Sequence, residues 1–375
     1  MRSGEGDAVD GVQAQAVAAP RDEEAAQALV AWCGRENIAF VPRGGGTKLH
    51  IGAPPSRCDL IISTEKLTQI FDHDEGNATV QAGAGIRLED LDAEMRKRGQ
   101  FVPLEGKNGA TLAGTVATNH FGGSKLKYGA PRDLVTGLHA VLSDGRLVKS
   151  GAKVVKNVAG YDLNKLFIGS FGTLGMITEV TVRLRPVSQA TEKWRYVVEP
   201  EEWEDAETQA WKIVNGAFEP TSLCLYWEET ACYLAGEFEG GEEASKSQIN
   251  NLPIKEDGVF RVGGWRVVEL RGQLPIQTAP LWAQLTREHG ASDVAWECGL
   301  GTVHASFTIV PDILALRAEA EKLGGFLIVE RAPSEVKTPD LVWGKPRGDF
   351  ALMQKLKQSF DAANVCAPGR FIGGL

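Results

Sequence analysis

Val41-Pro42-Arg43-Gly44-Gly45-Gly46-Thr47-Lys48 is the stretch on which the reading of this chain turns. The apolar run Ile38-Ala39-Phe40-Val41 leads into it and reads as a short strand. Three consecutive glycines have no Cβ, so the backbone can take positive φ and come close to another group. A turn of that kind points successive N–H groups into one concavity, which suits a phosphate. Arg43 and Lys48 add positive charge at its two ends. Taken alone, the triplet reads more readily as a flexible surface loop; the segments that follow reverse that preference.

Leu60-Ile61-Ile62-Ser63 is a second strand candidate and Ala78-Thr79-Val80-Gln81-Ala82 a third. The third runs into Gly83-Ala84-Gly85 and a helix carrying Leu88, Leu91 and Met95, which stops at Gly99. Strand, Gly-Ala-Gly and helix together suggest a dinucleotide fingerprint, which demands Gly or Ala at its third position so that helix and strand can pack closely. Leu88 stands there, and no acidic residue closes a following strand at the usual distance. The stretch is therefore read as a structural turn.

Thr111-Leu112-Ala113-Gly114-Thr115-Val116-Ala117-Thr118-Asn119 is built almost wholly of small or hydroxylic residues. It allows a bulky planar ligand to lie against backbone, with hydroxyls and an amide as partners; a tightly packed bend is the plainer alternative. Phe121-Gly122-Gly123 and Lys127-Tyr128-Gly129 continue the theme. Val135 to Leu142 and Leu147-Val148 read as strands around the turn Ser143-Asp144-Gly145-Arg146. After Lys153 to Leu163, Asp162 is placed to cap a short helix containing Leu163, Leu166 and Phe167. Gly169-Ser170-Phe171-Gly172-Thr173-Leu174-Gly175 and the strand Met176 to Leu184 close this half at Pro186.

The chain has 375 residues, enough for two or three domains, and its 43% apolar and 7% aromatic content is that of an ordinary globular protein. A net charge of −9, with Lys153 and Lys156 as the one small basic spot, argues against nucleic acid as a partner. No apolar run has membrane-spanning length and the N-terminus lacks a signal pattern, so a cytoplasmic chain is expected, peripheral at the inner membrane only through a partner. Cys33, Cys58, Cys224, Cys232, Cys298 and Cys366 are scattered without a C-x-x-C, so buried free thiols are expected rather than a zinc or iron–sulfur site.

Residues 1–18, rich in Gly, Ala, Asp and Glu, are expected to form a disordered tail. Asp22-Glu23-Glu24 then open a helix with Ala26, Leu29, Val30 and Cys33 on one face. Ser188 to Glu192 reads as a linker. Beyond it, Trp203, Ala206, Ala210 and Ile213 mark a helix. Leu223, Leu225, Trp227, Tyr233 and Ala235 mark a hairpin turning near Glu229. Ile313, Leu316, Ala320 and Leu323 mark another helix, Phe326 to Val329 a strand, and Phe350, Met353, Leu356 and Phe360 a last helix.

Three glycine-rich segments in this order, Pro42 to Thr47, Thr111 to Asn119 and Gly169 to Glu179, resemble the FAD-binding domain of the vanillyl-alcohol oxidase (PCMH-type) class. Lys156-Asn157-Val158-Ala159-Gly160-Tyr161-Asp162-Leu163 and the ending Ala367-Pro368-Gly369-Arg370-Phe371 are similar to the FAD-binding subunit of bacterial glycolate oxidase, the GlcE type. At Cys366-Ala367 the chain departs from the Phe-Asn of many relatives. The resemblance implies an α+β fold: a two-subdomain FAD-binding domain over 19–188, then an α+β cap domain over 189–375 whose C-terminal segment returns to the flavin. It implies that Gly44, Gly45, Gly46 and Thr47, with Arg43 nearby, hold the FAD pyrophosphate. Thr111, Gly114, Thr115, Thr118 and Asn119 would line pyrophosphate and flavin, and Gly172, Gly175 and Ile177 would approach the adenine and ribose. Thr47 occupies the place where some relatives carry a flavin-linking histidine, so FAD is expected to be non-covalent; His50 is read as a packing or surface residue.

For chemistry, the resemblance implies a subunit of a complex that oxidises glycolate or another small 2-hydroxy acid. Its implied partners are a homologous FAD-binding catalytic subunit and an iron–sulfur subunit. A non-catalytic FAD-holding scaffold or electron-transfer subunit, and a stand-alone FAD oxidase of another alcohol or sugar acid, are the alternatives. Catalytic relatives carry paired metal-binding histidines in the cap. Here His304 alone qualifies, without a partner at ligand spacing, so no metal is expected and the catalytic residues stay unassigned. Arg370 is either an anion-binding or flavin-tuning group or an ordinary surface ion pair.

Overall fold

The computed structural model describes residues 1–151, 162–198, 202–228, 231–252 and 267–375. Most of the Lys156–Leu163 motif and the hairpin turn at Glu229 lie outside the described residues.

The first half is built mainly on two small sheets that share one core. In the first, Ala16–Ala18 and Phe40–Arg43 both run parallel to Leu60–Ser63. Its crossover helix, Glu23–Arg35, starts where the Asp22 carboxylate accepts the Ala25 N–H and buries Ala26, Val30 and Cys33. In the second, five antiparallel strands lie in the order Leu147–Gly151, Val135–Val141, Met176–Arg183, Thr79–Gly83, Ile70–Asp74. The helix Leu88–Arg96 packs Leu91 and Met95 against this core.

The N-terminus departs from expectation. Residues 1–18 are not a disordered tail: Arg2–Ser3 pairs with Ala16–Ala18, and Ala8–Val9 pairs with Val12–Gln13. Val9 is buried with Val17, Val41 and Ile61, while Asp7 pairs with Arg43 and Asp10 with the buried Lys337. Strands of two or three residues are too short to show periodicity, and the Gly- and Asp-rich composition concealed them.

The second half is one seven-stranded antiparallel sheet with helices on it, enclosing a separate core that includes Trp282, Trp296 and Phe238. Its first strand is Ala190–Val198, so most of the expected linker at 188–192 is strand, paired with Ala231–Gly240. The helix Trp203–Val214 buries the four residues that marked it, and the helices Ile313–Lys322 and Phe350–Phe360 form as read. Asp162 does not cap the helix Asn164–Phe167; it lies beside Lys165 instead.

After the cap, the chain returns to the first half. Phe40 N–H donates to Val365 O and Ala367 N–H to Phe40 O, which adds the C-terminal segment alongside the strand that feeds the glycine turn. Buried Lys357 fixes this return, donating to Asp361, Thr173 O and Cys366 O at 2.7, 2.8 and 2.9 Å. Phe360 stacks on Phe167 with ring centroids 5.8 Å apart.

Candidate functional site

Gly44-Gly45-Gly46 folds back onto the segment 109–111. A Cβ on Gly44 would lie 2.0 Å from Thr111 Oγ1, and one on Gly45 would lie 1.7 Å from Gly109 O. Gly46 has φ +75°. Thr111 caps the helix Leu112–Ala117, its Oγ1 accepting the Gly114 N–H at 3.3 Å. That helix buries Leu112, Ala113, Thr115 and Val116, and Gly114, Thr115 and Thr118 lie along the cavity. The turn Gly169–Gly175 closes the third side, with Gly172 against the Pro42 ring and Gly175 against Val141 O.

The result is an open cleft with about 780 Å³ of free space, its solvent-filled mouth included. Gly44, Gly45, Gly46, Thr47, Thr111, Gly114, Thr115, Thr118, Gly172, Gly175 and Ile177 all line it. Two of the residues singled out from the sequence do not. Arg43 is occupied by Asp7, and Asn119 has φ +45° and accepts the Arg132 N–H at 3.3 Å. Lys48 does line the cavity; burial lowers its pKa to about 8, with the Glu330 carboxylate acting the other way. His50 is a packing residue that burial holds neutral, down to about 3.

The cavity fits FAD on two further counts. Two of its lining residues, Thr115 and Arg370, keep a buried Oγ1 and Nη1 without a partner in the protein, so the wall has polar capacity that its own packing does not use. Its glycine-walled end offers the concavity a pyrophosphate needs. Thr47, where some relatives are expected to carry a flavin-linking histidine, stands on the wall.

Thr118 and Phe171 also line a second, polar pocket with Ile51, His120, Phe121, Arg271, His304 and Glu330. Three cap strands supply its charges. Arg271 on Val268–Gln273 lies directly opposite His304 on Thr302–Phe307. Glu330 is the extra residue of a bulge, since Glu269 pairs with Arg331 and Leu270 with Val329; the bulge turns its carboxylate toward Arg271 Nε, 2.7 Å away. Burial opposes the Glu330 charge, but Arg271, His304, His120 and Lys48 outweigh it and hold the pKa at about 2. His120 is pushed down to about 3, first by burial and then by Lys48, and is neutral at pH 7. Burial also works against charge on His304, yet Glu297, 3.4 Å from its Nε2, raises it overall. His304 is thus paired rather than solitary, its partner a carboxylate.

Sequence reading missed His120, Arg271 and Glu330. His120 directly follows Asn119 and was within reach; Arg271 and Glu330 are single charges on cap strands whose meeting depends on register and a bulge. Among the described residues, one histidine and two carboxylates converge at metal-ligand spacing, Glu23, His139 and Glu179, and none of them lines either pocket.

Comparison with known proteins agrees with this geometry. The family profile described as an FAD binding domain matches residues 14–151. A D-lactate dehydrogenase of Archaeoglobus fulgidus is 30% identical over 95% of this chain and 91% of its own length. The glycolate oxidase subunit GlcD of Bacillus subtilis is 38% identical over 46% of this chain and 37% of that protein. A D-2-hydroxyglutarate dehydrogenase of Xanthomonas citri pv. viticola is 36% identical over 45% and 36%. These last two matches span less than half of either chain. Among solved structures, alkyldihydroxyacetonephosphate synthase superposes with a TM-score of 0.67 at 17% identity, covering 94% of this chain and 75% of that one, a likeness of fold. No helix among the described residues is long and apolar enough to cross a membrane. With its glycine-walled cavity, its two orphaned polar atoms and a relative matched along almost its full length, this chain belongs to the family of FAD-dependent dehydrogenases and oxidases of 2-hydroxy acids.

Proposed function

We propose that the chain is an FAD-holding subunit of a complex that oxidises glycolate or a similar small 2-hydroxy acid and passes the electrons to a separate iron–sulfur partner. The observation that carries this reading is the shared wall: Thr118 and Phe171 line both the cofactor cavity and the polar pocket. A small acid in that pocket would lie beside the cofactor. Bound FAD supplies the two-electron acceptor, and the protein supplies orientation and proton handling. His304, raised by Glu297, is the better proton acceptor of the two pocket histidines, whereas His120 remains a neutral hydrogen-bonding group. With six free cysteines scattered through the chain, onward electron transfer falls to another subunit. On this reading the cofactor is dissociable, since Thr47 stands where a linking histidine would be.

One observation favours a second reading, in which this subunit holds FAD without meeting substrate. Arg271, the guanidinium inside the pocket, has its Nε 2.7 Å from Glu330, which offsets the charge a substrate carboxylate would draw on. Anaerobic mixing of the isolated holoprotein with glycolate or D-lactate separates the two. Bleaching of the flavin absorbance supports turnover by this chain. A flavin that stays oxidised until co-purified partner subunits are added supports the scaffold, and one that stays oxidised even then contradicts both.

A further inference from the structure

Three consecutive carbonyls just beyond the glycine turn are held by two buried cations. Arg370 Nη2 donates to Leu49 O at 3.0 Å and Ile51 O at 2.6 Å, and Lys337 Nζ donates to His50 O at 2.5 Å. Leu49 and the preceding Lys48 line the cofactor cavity, so this short segment is part of its wall. Arg370 is 2% exposed and Lys337 6%, so neither belongs to a surface ion pair. Burial works against both charges; it lowers the Arg370 pKa to about 10 and that of Lys337 as well. Buried cations of this kind stay charged only where an anion is close.

The anion comes from the N-terminal region. Asp10 Oδ2 accepts from Lys337 Nζ at 2.7 Å and its Oδ1 from the Ser334 hydroxyl at 3.0 Å, and the same carboxylate favours the charged form of Arg370. Asp10 is at the tip of the hairpin formed by Ala8–Val9 and Val12–Gln13, where Asp10 and Gly11 take φ +50° and +86°. Two residues per strand cannot hold a hairpin in place by themselves. What docks it is Val9, buried with Val17, Val41 and Ile61, the Asp7–Arg43 pair at its base and the Asp10 carboxylate at its tip. The docked tip therefore joins three separate parts of the chain: the hairpin itself, the turn Ser334–Val336 with Lys337, and the wall segment after the glycines.

We propose that the N-terminal hairpin is a latch on the cofactor cavity: Asp10 neutralises Lys337, Lys337 fixes the 49–51 wall, and FAD leaves when this contact opens. The proposal rests on FAD occupying the cavity. Asp10 and Lys337 are positioning residues, since neither lines the cavity. A contact made by one apolar side chain and two ion pairs opens at lower cost than the core behind it, and local opening of this sort gates the exit of a ligand.

The rate of FAD release from the purified holoprotein, followed by flavin fluorescence after dilution, tests this. In Asp10→Asn, release should be about tenfold faster. That variant leaves Lys337 buried without its counter-charge, so lost stability alone could speed release. Asp10→Asn/Lys337→Met removes both charges. Its melting temperature should return close to that of the wild type, while release stays about tenfold faster because the His50 carbonyl is still unheld. Release at the wild-type rate in the double variant overturns the proposal, whatever the single variant does. Hydrogen exchange in the apoprotein gives a readout that needs no cofactor. The peptide spanning 47–53 should exchange about tenfold faster in the double variant, and unchanged exchange overturns the latch. Failure of the wild-type chain to bind FAD, with that faster exchange in place, contradicts the cofactor assignment while upholding the hold of the hairpin on the wall.

Discussion

The chain has two glycine turns after short strands, at 44–46 and at 83–85, and only one of them walls a cavity. Both are packed so closely that a side chain cannot enter. A Cβ on Gly45 would meet Gly109 O at 1.7 Å, and one on Gly85 would meet Thr64 O at the same distance. The difference lies on the far side of each turn. Beyond Gly83-Ala84-Gly85 the space is filled by Leu88, Leu91 and Met95 of the following helix. Beyond 44–46 it is left open and faced by Thr115, Thr118 and Arg370. A glycine run therefore announces that something comes close, without saying whether it is backbone or ligand.

That comparison can be broken most severely at Gly45. Gly45→Val displaces the turn from the Gly109 carbonyl and with it the phosphate-facing N–H groups, so FAD affinity should weaken by at least about tenfold. Flavin content of the purified variant, at unchanged secondary structure by circular dichroism, measures it. Gly85→Val should act on the fold instead, costing about 3 kcal/mol of stability through a forced backbone shift. Chemical denaturation reads that cost, and FAD per folded molecule should stay at the wild-type level; loss of FAD without loss of stability would erase the distinction between the turns.

Much of the fold was legible because helices with four-residue spacing, such as Trp203–Val214, and strands bounded by turn residues declare themselves locally. The segments that wall the cavity were legible too, since all three are runs of small residues that stand out locally in the sequence. The polar pocket was not. Arg271 and His304 become neighbours only through antiparallel register, and Glu330 faces them only because one residue of its strand is looped out. The N-terminal strands were hidden for a different reason: their stability comes from Asp7–Arg43, Asp10–Lys337 and burial of Val9, all of which are long-range. Arg43 illustrates the cost of reading by adjacency, for it is next to the glycines yet turned to Asp7.

Smaller effects sharpen the same picture. Burial lowers the Lys48 pKa to about 8, and below that its charge favours an anionic ligand in the cavity it lines. FAD affinity should fall as pH rises through and above 8, because the bound anion itself raises the Lys48 pKa. The fall should be roughly three- to tenfold and absent in Lys48→Met, as measured by fluorescence titration of the apoprotein. Asn119, turned away from the cavity, should matter least: Asn119→Ala is expected to change FAD affinity by no more than about twofold.

The most direct measurement is acid precipitation of the purified protein, followed by quantitation of flavin in the supernatant and the pellet. One equivalent of FAD per chain, recovered wholly in the supernatant, is the predicted result. Flavin retained in the pellet would contradict the non-covalent assignment at Thr47. A protein that carries no flavin, and takes up none when reconstituted with FAD, would contradict the cavity between the glycine turn and residues 111–119 as a cofactor site.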